Sequence, residues 1–310
     1  MIAAIAMLLA AFAVGVGAPR LLRRIDATRA DPLPLLAAWL LSVVGVLAAI
    51  VGAIVLLLVP DHGQAAAHLR WRPVAHGAPP HAEELAGMLG AALLLALAAR
   101  FVVIIARTTR RRARVSREHL AVLRVGACRD AAGTLWLHHD RPLAFSLAGR
   151  PGMVVATEGL TRHLRAAEVG AVLAHERAHL RGRHHALITW VDAVTATLPF
   201  LPLFRDAPVA VRVLVELCAD VAAARRYGVE ALRSALISVT AQGAPGGALA
   251  MTRDGIELRL ARLRHGPVVA GPVRRAVWCG LAAATAVLLP ILTAVSLLHA
   301  IALAFHRLSG

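Results

Sequence analysis

The sequence predicts an α-helical integral membrane protein: about four transmembrane helices, with an α-rich (α+β) domain inserted between the third and the fourth. Three observations carry this. The 310 residues are 58% apolar, with a mean hydropathy of +0.67, too hydrophobic for an ordinary soluble domain of this size. The apolar residues gather into runs of spanning length. The net charge of +16, carried by arginine without a single lysine, collects at the ends of those runs, as at the cytoplasmic flanks of spanning helices.

Residues 2–18 are uninterrupted apolar or small residues, at the lower limit for crossing roughly 30 Å of hydrocarbon. Arg20, Arg23 and Arg24 follow this run instead of preceding it, unlike the n-region of a signal peptide, and so place the N-terminus outside. Leu35 to Val59 is the second span, and the Pro-, His- and Gly-containing loop from Pro60 to about Glu84 is expected outside. Leu85 to Ile105 leads directly into Arg107, Arg110, Arg111, Arg112, Arg114 and Arg117, so this third span ends inside. Val277 to Phe305 follows Arg274 and Arg275 and makes a fourth span, with the tail from His306 outside.

The chain thus divides into a membrane region at 1–106, a cytoplasmic domain at 107–272, and a terminal span and tail at 273–310. Within the domain, Thr134–Leu137 and Gly152–Thr157 read as short strands bounded by Gly and Pro, and the rest is mostly helical by its apolar spacing. Ala186–Phe204 is apolar but carries Asp192 and two prolines. A full crossing there would separate the two halves of the site described next, so a buried or membrane-surface helix is expected.

The stretch AAEVGAVLAHERAHLR, residues 166–181, is a good helix former containing HExxH, with Gly182 where a C-cap glycine is expected. Random order would give about 0.02 such matches in a chain of this composition, which sets coincidence aside. Residues four apart share a helix face, so His175 and His179 can present two imidazoles to one Zn²⁺. Glu176 points to the edge of that site, where it can take a proton from an attacking water and pass it to a leaving amine. A catalytic zinc site needs a third protein ligand. The best candidate is Glu216, on a helix expected over Pro208–Tyr227 with Asp206 as N-cap and Gly228 as its stop. Asp220, four residues on, shares its face and would accept a hydrogen bond from a liganding imidazole. Cys218 falls on the opposite side and is read as packing.

Other classes are excluded or set aside. Cys128, Cys218 and Cys279 are odd in number and show no CxxC spacing, so neither a disulfide framework nor a thiolate zinc site is expected. The few aromatic residues are not interleaved with arginine, and the Arg107–Arg117 run abuts a span, so anionic lipid is its expected partner and nucleic acid is not. His62, His68, His76 and His81 match no compact ligand pattern and read as a solvated outer loop, and His138 and His139 as surface residues at a strand end.

At these residues the chain resembles the membrane-integrated zinc peptidases (gluzincins) of the HtpX and CAAX-prenyl-protease type, and still more the BlaR/MecR-type sensor-transducer peptidases. The resemblance covers about residues 140–230 and rests on AVLAHERAHLRGRHH, on VELCADVAAARRYG, and on LAFSLAGRPGMVVATEGL. The last is similar to the family segment whose edge strand receives the substrate backbone. It implies a zincin-like domain with one Zn²⁺ held by His175, His179 and Glu216, Glu176 as catalytic glutamate and Asp220 supporting a ligand. It also implies a membrane-bound metalloendopeptidase acting on protein or peptide substrates, in regulatory signalling or membrane protein quality control. Where relatives often carry an aspartate shortly after HExxH, this chain has His184 and His185. No extracellular penicillin-binding segment follows residue 310, so β-lactam sensing is not expected. The alternative function is a non-catalytic membrane signalling or scaffold protein with a structural zinc site.

Overall fold

A computed structural model describes residues 2–58, 80–123, 128–130, 133–149, 152–241, 253–265, 271, 273–281 and 284. Three helices lead the chain: α1 (Ile2–Arg23), α2 (Pro32–Leu58) and α3 (Pro80–Leu123). Each contains a stretch long and apolar enough to cross a membrane, Ala4–Arg23, Pro32–Val55 and Met88–Arg111. The turn joining α1 to α2 is built by two aspartates. Asp26 accepts from the N–H of Thr28 at 2.8 Å and Asp31 from that of Leu33 at 3.2 Å, and Pro32 opens α2 where a missing N–H costs nothing. α3 begins at Pro80, inside the segment expected to be a loop. It continues unbroken through the arginine run, so the expected boundary at 106/107 falls within one helix. Most of the expected outer loop, and the fourth span beyond the helical residues 273–281 and 284, lie outside the described residues.

The domain that follows opens with four short strands: β1 (Cys128–Arg129), β2 (Leu135–Leu137), β3 (Ala144–Leu147) and β4 (Met153–Thr157). Their order is β1-β2-β4-β3, with β2 parallel to β4 and the outer pairs antiparallel. β3 is an edge strand, in register from Ala144 opposite Ala156 to Leu147 opposite Met153. The two strands read from sequence are β2 and β4. Among the described residues of the domain, six helices follow: α4 (Glu158–His163), α5 (Ala166–Arg181), α6 (His184–Thr197), α7 (Pro202–Tyr227), α8 (Val229–Ala241) and α9 (Arg253–His265).

α5 lies between the sheet and α7. Its Val169 and Leu173 pack on Val154, Ala156, Leu160 and Leu164, while Ala171 and Ala174 meet Ala223 and Ala224 of α7. Alanine at the contact lets two helices approach toward the short end of the usual 8–10 Å spacing. Gly170 takes this furthest, because a Cβ there would lie 2.2 Å from the Tyr227 ring. At its start α5 is held by Glu168, whose carboxylate accepts from the Arg165 N–H at 2.8 Å.

The largest core among the described residues is shared between the leading apolar helices and the domain. Trp39, Val43 and Val46 of α2 pack with Ile188, Val191 and Val194 of α6 and with Leu203, Phe204, Val211 and Leu214 of α7. α6 is the first part of the helix expected over Ala186–Phe204, which instead breaks at 198–201 and gives way to α7, and the Asp192 carboxylate of α6 is neutralised by Arg212 of α7 at 2.7 and 2.8 Å. α7 starts six residues before the expected Pro208, with Pro202 in its first turn. Asp206 is thus not its N-cap; it lies inside the helix and pairs with Arg23 at the end of α1. Cys218 is partly buried and packs against this core.

Candidate metal centre

The close approach of α5 and α7 brings three of the residues singled out above to one point. His175 Nε2 lies 3.1 Å from His179 Nε2 and 3.3 Å from Glu216 Oε2, and His179 Nε2 lies 3.4 Å from Glu216 Oε1. Among the described residues, these three form the group able to hold a metal ion, with one ligand atom from each inside a 4.8 Å set. Two imidazoles and a carboxylate are donors that suit zinc and leave a fourth position open.

Asp220 stands behind His175. Its Oδ1 is 3.0 Å from His175 Nδ1, a charge contact whose angle falls short of a formed hydrogen bond. The same carboxylate is gripped at both oxygens by Arg259 of α9, at 2.6 and 2.7 Å, and a third guanidinium nitrogen reaches Glu216 Oε2 at 3.2 Å. Nothing in the sequence pointed to Arg259. Three residues further along α9, Arg262 is 1% exposed and donates to the carbonyls of Ala27, Thr28 and Ala30 in the α1–α2 turn at 2.7–3.2 Å. One helix thus braces the candidate metal centre with one arginine and the α1–α2 turn with another.

Behind His179 stands His184, Nδ1 to Nδ1 at 3.0 Å. Gly182 is the C-cap, as expected, and the position of His184 explains why it is a glycine. Gly182 has φ −77°, and the left-handed residue is Arg183 at φ 50°. A Cβ on Gly182 would meet His184 Nε2 at 2.3 Å, so glycine is needed for the ring to sit there.

Glu176 is partly buried beside the edge strand. Burial raises its pKa, opposed by His175 and by the Ser146 hydroxyl and N–H that bond it. Ser146, another residue missed from sequence, also lies 3.1 Å from His185 Nε2, tying β3 to the site. Burial lowers the His175 pKa, but the Asp220 and Glu216 carboxylates outweigh it and raise it to about 9. Burial and the neighbouring His175 take His179 down to about 3. Burial would raise the Glu216 pKa, yet its bond to His175 and the nearby Arg259 pull it down to about 2, so it is ionised near neutral pH and suited to a cation. His138 and His139 are exposed and stand apart from this group.

Residues 106–254, just under half of the chain, match the family model of peptidase family M48. The match supports that metallopeptidase family and implies a hydrolase whose metal is zinc. No curated protein and no solved structure matches the chain at a significant level.

Proposed function

We propose that the protein is a membrane-integrated zinc metalloendopeptidase that hydrolyses peptide bonds of protein substrates from the cytoplasmic face, in regulatory signalling or membrane protein quality control. The observation that carries it is the meeting of His175, His179 and Glu216 at one point, with Glu176 beside them at an edge strand. The family match over the same residues supports it, and the three apolar helices support membrane integration.

In this reading His175, His179 and Glu216 hold the ion, and Asp220, itself fixed by Arg259, orients the His175 ring. For His179 to face the ion through Nε2, its Nδ1 carries the proton and donates to His184 Nδ1, the acceptor. When bound, zinc supplies Lewis-acid polarisation and makes water acidic near neutral pH. Glu176, its pKa raised toward the working range by burial, takes the proton from the attacking water and returns it to the leaving amine. Among the described residues β3 is unpaired on one side, where an extended substrate backbone could pair and draw the scissile bond past Glu176.

The test combines zinc content with cleavage of casein by the detergent-purified protein. Wild type should carry about one zinc per chain and cleave; Glu216→Ala should lose both; Glu176→Gln should keep the zinc and lose cleavage. Zinc kept together with undiminished cleavage in Glu176→Gln would refute the assignment, and zinc with no cleavage in wild type would favour a structural metal site.

A further inference from the structure

α6 and the first half of α7 form a helical hairpin whose tip is Leu198-Pro199-Phe200-Leu201. The tip is apolar, and Phe200 is 79% exposed. Two neighbours fix its level against the spans. A Cβ on Gly15 of α1 would lie 3.0 Å from Leu201 Cδ1, whereas Arg23 of α1 pairs with Asp206 of α7. α1 and α7 therefore run side by side, and Gly15 stands five residues before Arg20, the first arginine after the apolar run, about 8 Å further into the apolar stretch. On α3, Arg100 donates to the Ala196 carbonyl at the end of α6 at 2.9 Å. Arg100 stands seven residues before Arg107, about 10 Å inside the start of the arginine run. Two separate spans give levels that agree to within about 3 Å.

We infer that the α6–α7 hairpin enters the bilayer from the side of the zinc centre as a re-entrant wedge, its tip among lipid acyl chains about 10 Å deep in a leaflet about 15 Å thick. This rests on the proposed reading of α1–α3 as membrane spans. Part of the backbone at the tip finds its partners within the protein, as a medium without water requires. Pro199 and Pro202 bring no N–H. The N–H of Leu198 bonds to Val194 O at 2.8 Å, and those of Phe204 and Arg205 to Leu201 O at 3.1 and 3.3 Å. The Ala196 carbonyl is capped by Arg100, and the Thr195 hydroxyl donates to Phe204 O. Nearer the zinc centre, Asp192 and Arg212 neutralise each other, as ionisable groups close to lipid do. The exposed tip lies beside Gly15 and Arg100, inside the apolar stretches of two spans, which makes acyl chain the fitting occupant.

The test places a nitroxide on Pro199→Cys and, separately, on Phe200→Cys, in a full-length chain whose Cys128, Cys218 and Cys279 are replaced by alanine. The protein is reconstituted into phosphatidylethanolamine–phosphatidylglycerol vesicles. Both positions are exposed, so the label displaces no core side chain. Leu93→Cys on the third span and Arg162→Cys on the zinc domain serve as references. Labels at 199 and 200 should collide with oxygen over a water-soluble nickel chelate in a ratio several-fold above that at 162 and similar to that at 93. A lipid-like ratio at 93 with a water-like ratio at 199 or 200 overturns the wedge and leaves the spans standing. A water-like ratio at 93 as well overturns the membrane reading itself.

Discussion

Replacing Arg259 by methionine removes the cation from a site walled by carboxylates. The side chains of Arg259 and Asp220 are 5% and 3% exposed, and the pair is joined at both oxygens. Breaking a buried pair by deleting one partner costs about 3–5 kcal/mol, because the remaining charge stays buried without its counter-ion. At about 2–4 °C per kcal/mol for a fold of this size, the metal-free Arg259→Met protein should melt roughly 6–20 °C below wild type. The assay is thermal unfolding in detergent with a chelator present, since bound metal would add its own stabilisation. Asp220→Asn and the double variant complete a cycle. The double variant should be less destabilised than the sum of the single ones, with a coupling of about 1 kcal/mol or more. A single variant within 2 °C of wild type, or strict additivity, would refute the view that Arg259 acts through Asp220.

Further outcomes follow from the same geometry. His184→Ala should lower zinc affinity about 10–100-fold, the usual effect of deleting a group that supports a metal ligand, and His184→Asp should restore much of it; competition with a chromogenic chelator reads both. Gly182→Ala, which drives a methyl into the His184 ring at 2.3 Å, should weaken zinc in the same assay, and unchanged affinity would detach His184 from the site. Gly170→Ala should destabilise by about 1–3 kcal/mol through collision with Tyr227, and adding Tyr227→Ala should recover stability in the same melting experiment.

The parts of the site legible in the sequence are those that repeat at helical spacing. His175 and His179, then Glu216 and Asp220, each stand four apart in stretches rich in alanine and leucine, so the helix and the shared face could be read together. The α5 limits also emerged correctly, because residues 166–181 contain no proline and only one glycine, and Gly182 follows. Arg259 was hidden for the opposite reason. It comes 39 residues after Asp220 among many arginines of similar setting, and only the folded path of α9 shows that it turns inward. Ser146 gave no signal either, as a lone hydroxyl in an apolar strand pattern. The start of α7 was misplaced because Asp206 and Pro208 imitate a cap and first turn, whereas packing against α1 and α2 extends the helix back to Pro202.

α7 passes both the Arg23–Asp206 pair at the end of α1 and, ten residues later, Glu216 at the metal centre. Ten residues of helix measure about 15 Å. In the proposed orientation α7 is a fixed ruler between the lipid boundary and the point of cleavage, and an extended chain covers that distance in about four or five residues. A bond cut by this protein in a membrane-anchored substrate would then lie within a short stub of the bilayer. Lengthening the stub would carry the bond past the site, and shortening it would leave the bond out of reach.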